Sequence, residues 1–301
     1  MQNVAAVEPM SRARGYDWVG ALPFIVVHIL AVVGPIFTPI RTIDVVVGIA
    51  LYWIRMFFVT GAYHRYFSHR TYKTSRWFQF VLALGAMSSS QKGVLWWAAH
   101  HRTHHKFSDT EKDVHSPIRK GLMYAQCGWL FDGTDKTDYS KVKDLAKYPE
   151  LVFLNRYWYI PPALLGFGIW LALGWSGLWI AFMASTVVLW HGTFTINSLT
   201  HVWGRKVYPA GDESRNSAIL AFITMGEGWH NNHHYYQAST RQGFHWWQFD
   251  FTYYILKVFS WLGLVWDLRE PPAEVVAGTW RAKKSPAQLA AEPEAETAEA
   301  A

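Results

Sequence analysis

Four apolar runs, set as two close pairs, constrain this chain more than any other feature. Residues 18–37 and 43–63 are separated by a short turn carrying Pro39, Arg41 and Asp44; residues 157–174 and 177–198 meet at Gly174-Trp175-Ser176-Gly177. Each run approaches the ~20 residues that carry a helix across ~30 Å of hydrocarbon. The pairs read as two transmembrane hairpins, with Trp and Tyr at the ends of the runs as in the aromatic belts of a bilayer. A buried helical hairpin in a soluble protein is the competing reading, and the belts weigh against it. The first run is not a secretory signal, because a second span follows with no small-residue cleavage site between them.

Mean hydropathy over the whole chain is nevertheless zero, so the spans are balanced by a polar remainder. Its cations choose the sidedness. Arg12 and Arg14 precede the first span, Arg205, Lys206 and Arg215 follow the last, and the segment between the hairpins holds Arg65, Arg70, Arg102, Lys106 and Lys112 among others. The positive-inside rule puts both termini and that segment in the cytoplasm. The net charge of +6 is thereby a matter of membrane orientation, with no call on nucleic acid. A disulfide scaffold is excluded, since Cys127 is the only cysteine.

The cap reads as helical. Residues 77–97 are apolar but broken by Ser88-Ser89-Ser90-Gln91-Lys92, which suits an interfacial helix better than a fifth span. Residues 216–229 and 246–266 are expected as further amphipathic helices. The fold class expected is all-α: an integral membrane protein of four transmembrane helices in two hairpins, with a helical cytoplasmic cap holding a di-metal centre. Residues 1–15 are expected to be flexible, 16–269 to form the domain, and 270–301 to be a disordered Ala/Glu/Pro-rich tail.

The 14 histidines are clustered. His64 and His69 frame H-R-Y-F-S-H just after the second span; His101, His104 and His105 form H-R-T-H-H; His230, His233 and His234 form H-N-N-H-H. In a helix, positions i, i+3 and i+4 share a face, so each trio presents its imidazoles together. The pair five apart is ~140° off a shared face, so the second span must end or distort within 64–69. Neutral imidazoles are the commonest protein ligands for transition metals. Eight of them exceed what one metal takes, and two metals are the economical count.

Ligand type narrows the chemistry. No H-E-x-x-H is present, which removes the zinc peptidases. Soluble di-iron bundles pair two Glu-x-x-His motifs, whereas Glu227 to His230 is the single such spacing here, so a carboxylate-rich site cannot be assembled symmetrically. Imidazole alone does not separate iron from zinc.

Four segments, G-A-Y-H-R-Y-F-S-H-R (61–70), H-H-R-T-H-H-K-F-S (100–108), N-S-L-T-H-V-W-G (197–204) and G-E-G-W-H-N-N-H-H (226–234), together resemble the stearoyl-CoA desaturase family. The likeness runs from the first span to about residue 269. It implies a ninth ligand, His201, and assigns Asn197 to hold a metal-bound water. The implied site is a pair of irons on His64, His69, His101, His104, His105, His201, His230, His233 and His234. The resemblance further implies that O₂ is the co-substrate and that two hydrogens are removed from adjacent methylenes of a saturated acyl chain, leaving a cis double bond at carbon 9 of an acyl-CoA. Unactivated C–H bonds offer nothing to acid–base groups, so a metal–oxygen oxidant fits. One methylene resembles the next, so position must be chosen by shape, and a bent tunnel is expected.

The same resemblance places the bend at Gln91, Trp97 and Thr193, and gives Arg119 and Lys120 to a phosphate-bearing head group. The alternative for Trp97 is an aromatic-belt role, and for the two cations plain positive-inside charge. Where animal members carry an Arg two residues before the first histidine of H-x-x-H-H, this chain has Ala99. With one cysteine and no haem or flavin motif, electrons must come from a separate donor such as cytochrome b5, ferredoxin or a flavin reductase. The runner-up activity is a membrane di-iron hydroxylase of alkyl or carotenoid substrates. A histidine-rich metal carrier would instead spread its ligands through the spans.

The remaining histidines read as structural: His28 and His191 as isolated rings bonded to helix carbonyls, His100 off the box face, His115 shaping its loop, His245 without a motif. Arg55, ~13 Å before His64 on a helix, is expected to snorkel to the interface.

Overall fold

The structure, a computed structural model, describes residues 16–133 and 136–280. The expected flexible segment 1–15 and residues 281–301 of the expected tail lie outside the described residues.

Among the described residues, three helices are long and apolar enough to cross a membrane: Trp18–Phe37, Thr42–Ser68 and the 42-residue Ile160–His201. The third is interrupted at Gly174, whose φ of 70° and ψ of −161° are closed to most side chains. A Cβ added at Gly166 would lie 2.9 Å from Phe182 Cε1, although residues sixteen apart on a straight helix are ~24 Å apart. The chain therefore doubles back at Gly174, and the two pairs of apolar runs are both hairpins. Their outer faces stay apolar and uncovered, with Val19 at 82%, Ile36 at 74% and Leu164 at 64% exposed, which suits lipid. At the turns, Arg41 donates to buried Asp44 at 2.6 Å, and Asp44 in turn takes Ser176 of the other hairpin. Glycines let the hairpins close: Gly48 rests on the backbone of Ala181, and Gly192 lies under Tyr52 and Met56.

Arg55 does not snorkel. It is 1% exposed, and its guanidinium donates to Thr186 Oγ1 and Ser185 Oγ, both at 2.6 Å, and to Leu51 O at 3.1 Å. Hydroxyls on the opposing hairpin satisfy it where the lipid interface was expected to.

The cap follows the expected pattern in part. Helix Arg76–Met87, started by Ser75 accepting from Phe78 N, exposes Trp77, Val81 and Leu84, then stops at the Ser88–Lys92 break before helix Val94–Phe107. The two later helices are shorter than expected. Only Ala218–Ile223 is helical within 216–229, because Gly226 turns the chain at φ 124°. Only Phe251–Trp261 is helical within 246–266; Asp250 caps its start, and Gly263 leads into Val265–Trp266, which pairs antiparallel with Lys73–Thr74. The core gathers Tyr63, Phe67, Tyr72, Leu82, Met87 and Leu95, all fully or nearly fully buried.

The tail boundary moves. Residues 270–280, counted with the disordered tail, instead carry a short helix, Ala273–Val276, with Val275 fully buried. Tyr208 OH donates to Val276 O at 2.9 Å, and the Tyr235 and Trp280 rings meet edge to face at 5.3 Å. The aromatic anchor Trp280 was hidden in an otherwise low-complexity stretch.

Candidate metal centre

The distortion required between His64 and His69 is a π-helix, Phe58–Ser68, continuing helix Thr42–Phe57. In i→i+5 bonding, residues five apart stack on one face. His69 N donates to His64 O at 3.2 Å, and the two rings come within 4.8 Å.

Nine imidazoles fall into two groups, within each of which the candidate ligand atoms lie within 4.8 Å of one another: His64, His69, His101, His105 and His233, then His104, His201, His230 and His234. Each H-x-x-H-H trio is therefore divided between the two groups, a distribution that spacing along the chain left open. His101 and His105 go to the first group and His104 to the second; His230 and His234 go to the second and His233 to the first. Rings at i and i+4 stay together while i+3, on the flank of the same face, reaches the neighbouring group. His201, which spacing alone did not select, is fully buried in the second group.

Carboxylates stand behind four rings. His64 Nδ1 lies 2.6 Å from Glu227, His104 Nδ1 2.9 Å from Asp113, His201 Nδ1 2.9 Å from Asp109, and His234 Nδ1 2.5 Å from Asp212. A carboxylate on Nδ1 draws the ring proton there and leaves the Nε2 lone pair facing inward. In the sequence Glu227 stood out only through the single Glu-x-x-His spacing, and Asp109, Asp113 and Asp212 had no part in the expected site. Their signal was acidic residues closely following the H-R-T-H-H box and preceding H-N-N-H-H.

The donor set fits metal ions. In the first group, Nε2 atoms approach one another from His64 to His233 (3.0 Å), His233 to His105 (3.0 Å), His105 to His101 (2.9 Å) and His101 to His69 (2.8 Å). No placement of ring protons makes all four contacts hydrogen bonds, because one Nε2–H serves one partner. Convergent lone pairs around a cation remove the conflict. Burial, reinforced by the neighbouring imidazoles, holds His69, His101, His105, His230 and His233 well below the ordinary histidine range, so they are neutral as ligation requires. Burial alone would raise the carboxyls of Asp113 and Asp212, but the imidazoles of His104 and His234 outweigh it and hold both well below the usual range.

The boxes are fastened by their non-histidine letters. Arg65, 1% exposed, bridges Glu227 (3.0 Å) and Asp250 (2.9 Å). Any Cβ at Gly226 would strike Asp250 Oδ1 at 2.5 Å. Asn231 Oδ1 accepts from Val207 N and Tyr208 N, and Asn232 Nδ2 donates to Gln242 O, stapling the short helix His230–Tyr235 to both flanking loops.

A cavity of about 470 Å³ adjoins the first group. It is lined by Gln91, Trp97, His101, Thr193 and Asn197 on one side and by Phe24 and Val27 of the first helix on another. Gln91 Nε2 donates to Thr193 Oγ1 at 3.0 Å, and Trp97 Nε1 points to Gln91 Oε1 at 3.5 Å, so Gln91 links the other two residues assigned to the bend. Arg119 and Lys120 do not line it. Arg119 bonds Asp109 O and pairs with Glu111; Lys120 bonds Tyr124 OH. Their loop does contribute Val114 and His115 to the wall.

The other histidines divide. His28 bonds Phe24 O at 2.7 Å as expected, yet it is not isolated: its Nε2 meets His191 Nε2 at 3.0 Å. His100 bonds Trp96 O and faces the cavity, not the metal groups. His115 packs on His104 with rings 4.4 Å apart, and His245 stacks on Trp247.

Apolar hairpins beneath two adjoining all-imidazole groups, one buried and one partly buried, define a membrane-associated protein with a site suited to a pair of metals. The sequence model described as fatty acid desaturase matches residues 43–264. The chain is 34% identical over 256 residues to an sn-1 stearoyl-lipid 9-desaturase of Anabaena variabilis, covering 84% of this chain and 94% of that protein. It is 36% identical over 231 residues to an acyl-CoA C20 Delta5-desaturase of Anemone leveillei, covering 74% and 72% respectively. It is 32% identical over 249 residues to a chloroplastic palmitoyl-monogalactosyldiacylglycerol delta-7 desaturase of Arabidopsis thaliana, covering 81% and 66%. This chain belongs to the fatty acid desaturase family, and is an oxidoreductase.

Proposed function

We propose that the protein desaturates a saturated fatty acyl chain with O₂, on an acyl-CoA and at carbon 9, through two irons held by the nine imidazoles. The observation that carries the reading is the apolar cavity reaching the first imidazole group through His101 and Asn197. A pair of irons would supply the one chemistry the side chains lack, oxidation of unactivated C–H bonds by O₂. His64, His69, His101, His105 and His233 would hold one ion and His104, His201, His230 and His234 the other. Asn197, on the cavity wall beside His101, would orient a water of the centre. Gln91, Trp97 and Thr193 would bend the chain so that one pair of methylenes faces His101, while the apolar wall excludes bulk water.

Reduction of O₂ to two waters takes four electrons. The acyl chain yields two with its two hydrogens, and a separate donor must deliver two more together with two protons. That donor, cytochrome b5, ferredoxin or a flavin reductase, would dock on the cap, which we place with both termini on the cytoplasmic side of four spans. Arg119 and Lys120 are the candidates to meet a CoA phosphate.

The test is expression in a desaturase-deficient host followed by fatty-acid analysis with double-bond location. A loss of two mass units supports desaturation, whereas a gain of sixteen would make the chain a hydroxylase. Assay of purified protein with stearoyl-CoA and with stearoyl-lipid decides the acyl carrier.

A further inference from the structure

The bend carries backbone strain. Ser90 (φ 60°) and Lys92 (φ 68°), on either side of Gln91, both sit in the left-handed region without being glycine. Such conformations persist only where surrounding groups hold them. Trp190 Nε1 donates to Ser89 O at 2.9 Å, and Tyr63 OH donates to Lys92 O at 2.5 Å. Tyr63 also stacks on Trp97, centroids 5.3 Å apart and planes 10° from parallel. It thus touches two parts of the bend at once, the turn through its hydroxyl and the indole through its face.

Tyr63 is fully buried and forms no part of the cavity wall, so it meets no substrate. It is, however, the residue directly before His64 on the π-helix. In a site that measures methylenes, the product is set by the separation between the oxidising centre and the bend. Tyr63 spans that separation, covalently joined to a metal-group histidine at one end and pressed on the bend at the other.

We propose that Tyr63 is a positioning residue that sets which carbon–carbon bond is desaturated. The proposal rests on the desaturase reading above. Loss of the hydroxyl frees the Ser90–Lys92 turn, and loss of the ring frees the Trp97 indole. Either lets Gln91 and Trp97 shift relative to His64 by a fraction of a methylene step.

The test compares wild type, Tyr63→Phe and Tyr63→Leu as full-length protein in the desaturase-deficient host, reading double-bond isomers by mass spectrometry and the metal-to-protein ratio of the purified chain. Isomers one position away from the main product are expected to rise about tenfold in Tyr63→Leu and by less in Tyr63→Phe, with metal content unchanged. An unaltered isomer pattern in Tyr63→Phe and Tyr63→Leu overturns the proposal even if turnover falls, because a merely structural residue would lower rate without moving the bond. Should Tyr63→Leu fail to fold, Tyr63→Phe, which keeps the ring, decides alone. Loss of metal or of all product in Tyr63→Phe also overturns it, since Tyr63 would then support the centre and not the bend. A wild type that forms no double bond sinks the desaturase reading instead.

Discussion

His64 Nδ1 lies 2.6 Å from one oxygen of Glu227, whose other oxygen takes Arg65 at 3.0 Å. One carboxylate thus orients a ring of the first imidazole group and neutralises the cation next to it in sequence. The same device recurs behind His104, His201 and His234 with Asp113, Asp109 and Asp212. Carboxylates at that distance fix ring tautomer and raise ligand basicity.

Replacing Asp113 by Asn keeps the shape and removes the charge behind His104. Metal affinity should fall about 10–100-fold, read by competition with a chelator. An unchanged affinity would show that the carboxylate does not tune its ring. Glu227→Gln should do the same and also lower stability, by about 3–5 kcal/mol, because Arg65 loses part of a buried ion pair.

His233→Ala and His104→Ala remove one ring from each group. Both should abolish desaturation while the protein stays in the membrane, and bound metal should drop from two ions per chain towards one. Full turnover by either variant would refute the site assignment.

The cavity wall draws on the first helix, through Phe24 and Val27, and on no residue of helix Thr42–Phe57. The first span is therefore the one placed to measure the chain. Val27→Trp should shorten the preferred acyl chain, while Val26→Trp, on the 40% exposed neighbour, should not. Equal chain preference in wild type and Val27→Trp, by competition among acyl lengths, would count against the cavity as the tail site.

Stability of the metal-free protein should depend on pH with a definite sign. His69, His101, His105, His230 and His233 have folded values far below the unfolded one, so below about pH 6.5 the unfolded chain binds protons that the folded chain refuses. Their contribution is complete above that pH and is lost as pH falls, each ring adding up to about 1.4 kcal/mol per pH unit. Asp113 and Asp212 add a further loss only below the ordinary carboxylate range. Thermal melts in detergent should therefore show Tm falling from about pH 7 to about pH 5.5, and saturating metal raising Tm at neutral pH. A flat profile would mean the rings are not buried as neutral groups.

If Arg119 and Lys120 hold a CoA phosphate, the double change to Ala should raise KM for acyl-CoA with little effect on kcat. An unaltered KM would leave their bonds to Asp109 O and Tyr124 OH as their whole role and favour a lipid-linked acyl chain.

Local rules in the sequence determined the apolar hairpins, the break after Met87, the distortion between His64 and His69, and the histidine boxes, because spacing along one helix expresses each of these. The ends of elements were less legible: the helices at Ala218 and Phe251 are cut short by Gly226 and by the Asp250 cap, and Trp280 ties down residues expected to be loose. What the tertiary structure alone decided lies between elements. The division of each H-x-x-H-H trio across two groups, the placing of Glu227, Asp109 and Asp212 behind His64, His201 and His234, the burial of Arg55 on Ser185 and Thr186, the His28–His191 pair and the grip of Tyr63 on the bend all join residues distant in sequence. Periodicity reports which face a residue occupies; only packing decides which neighbour that face meets.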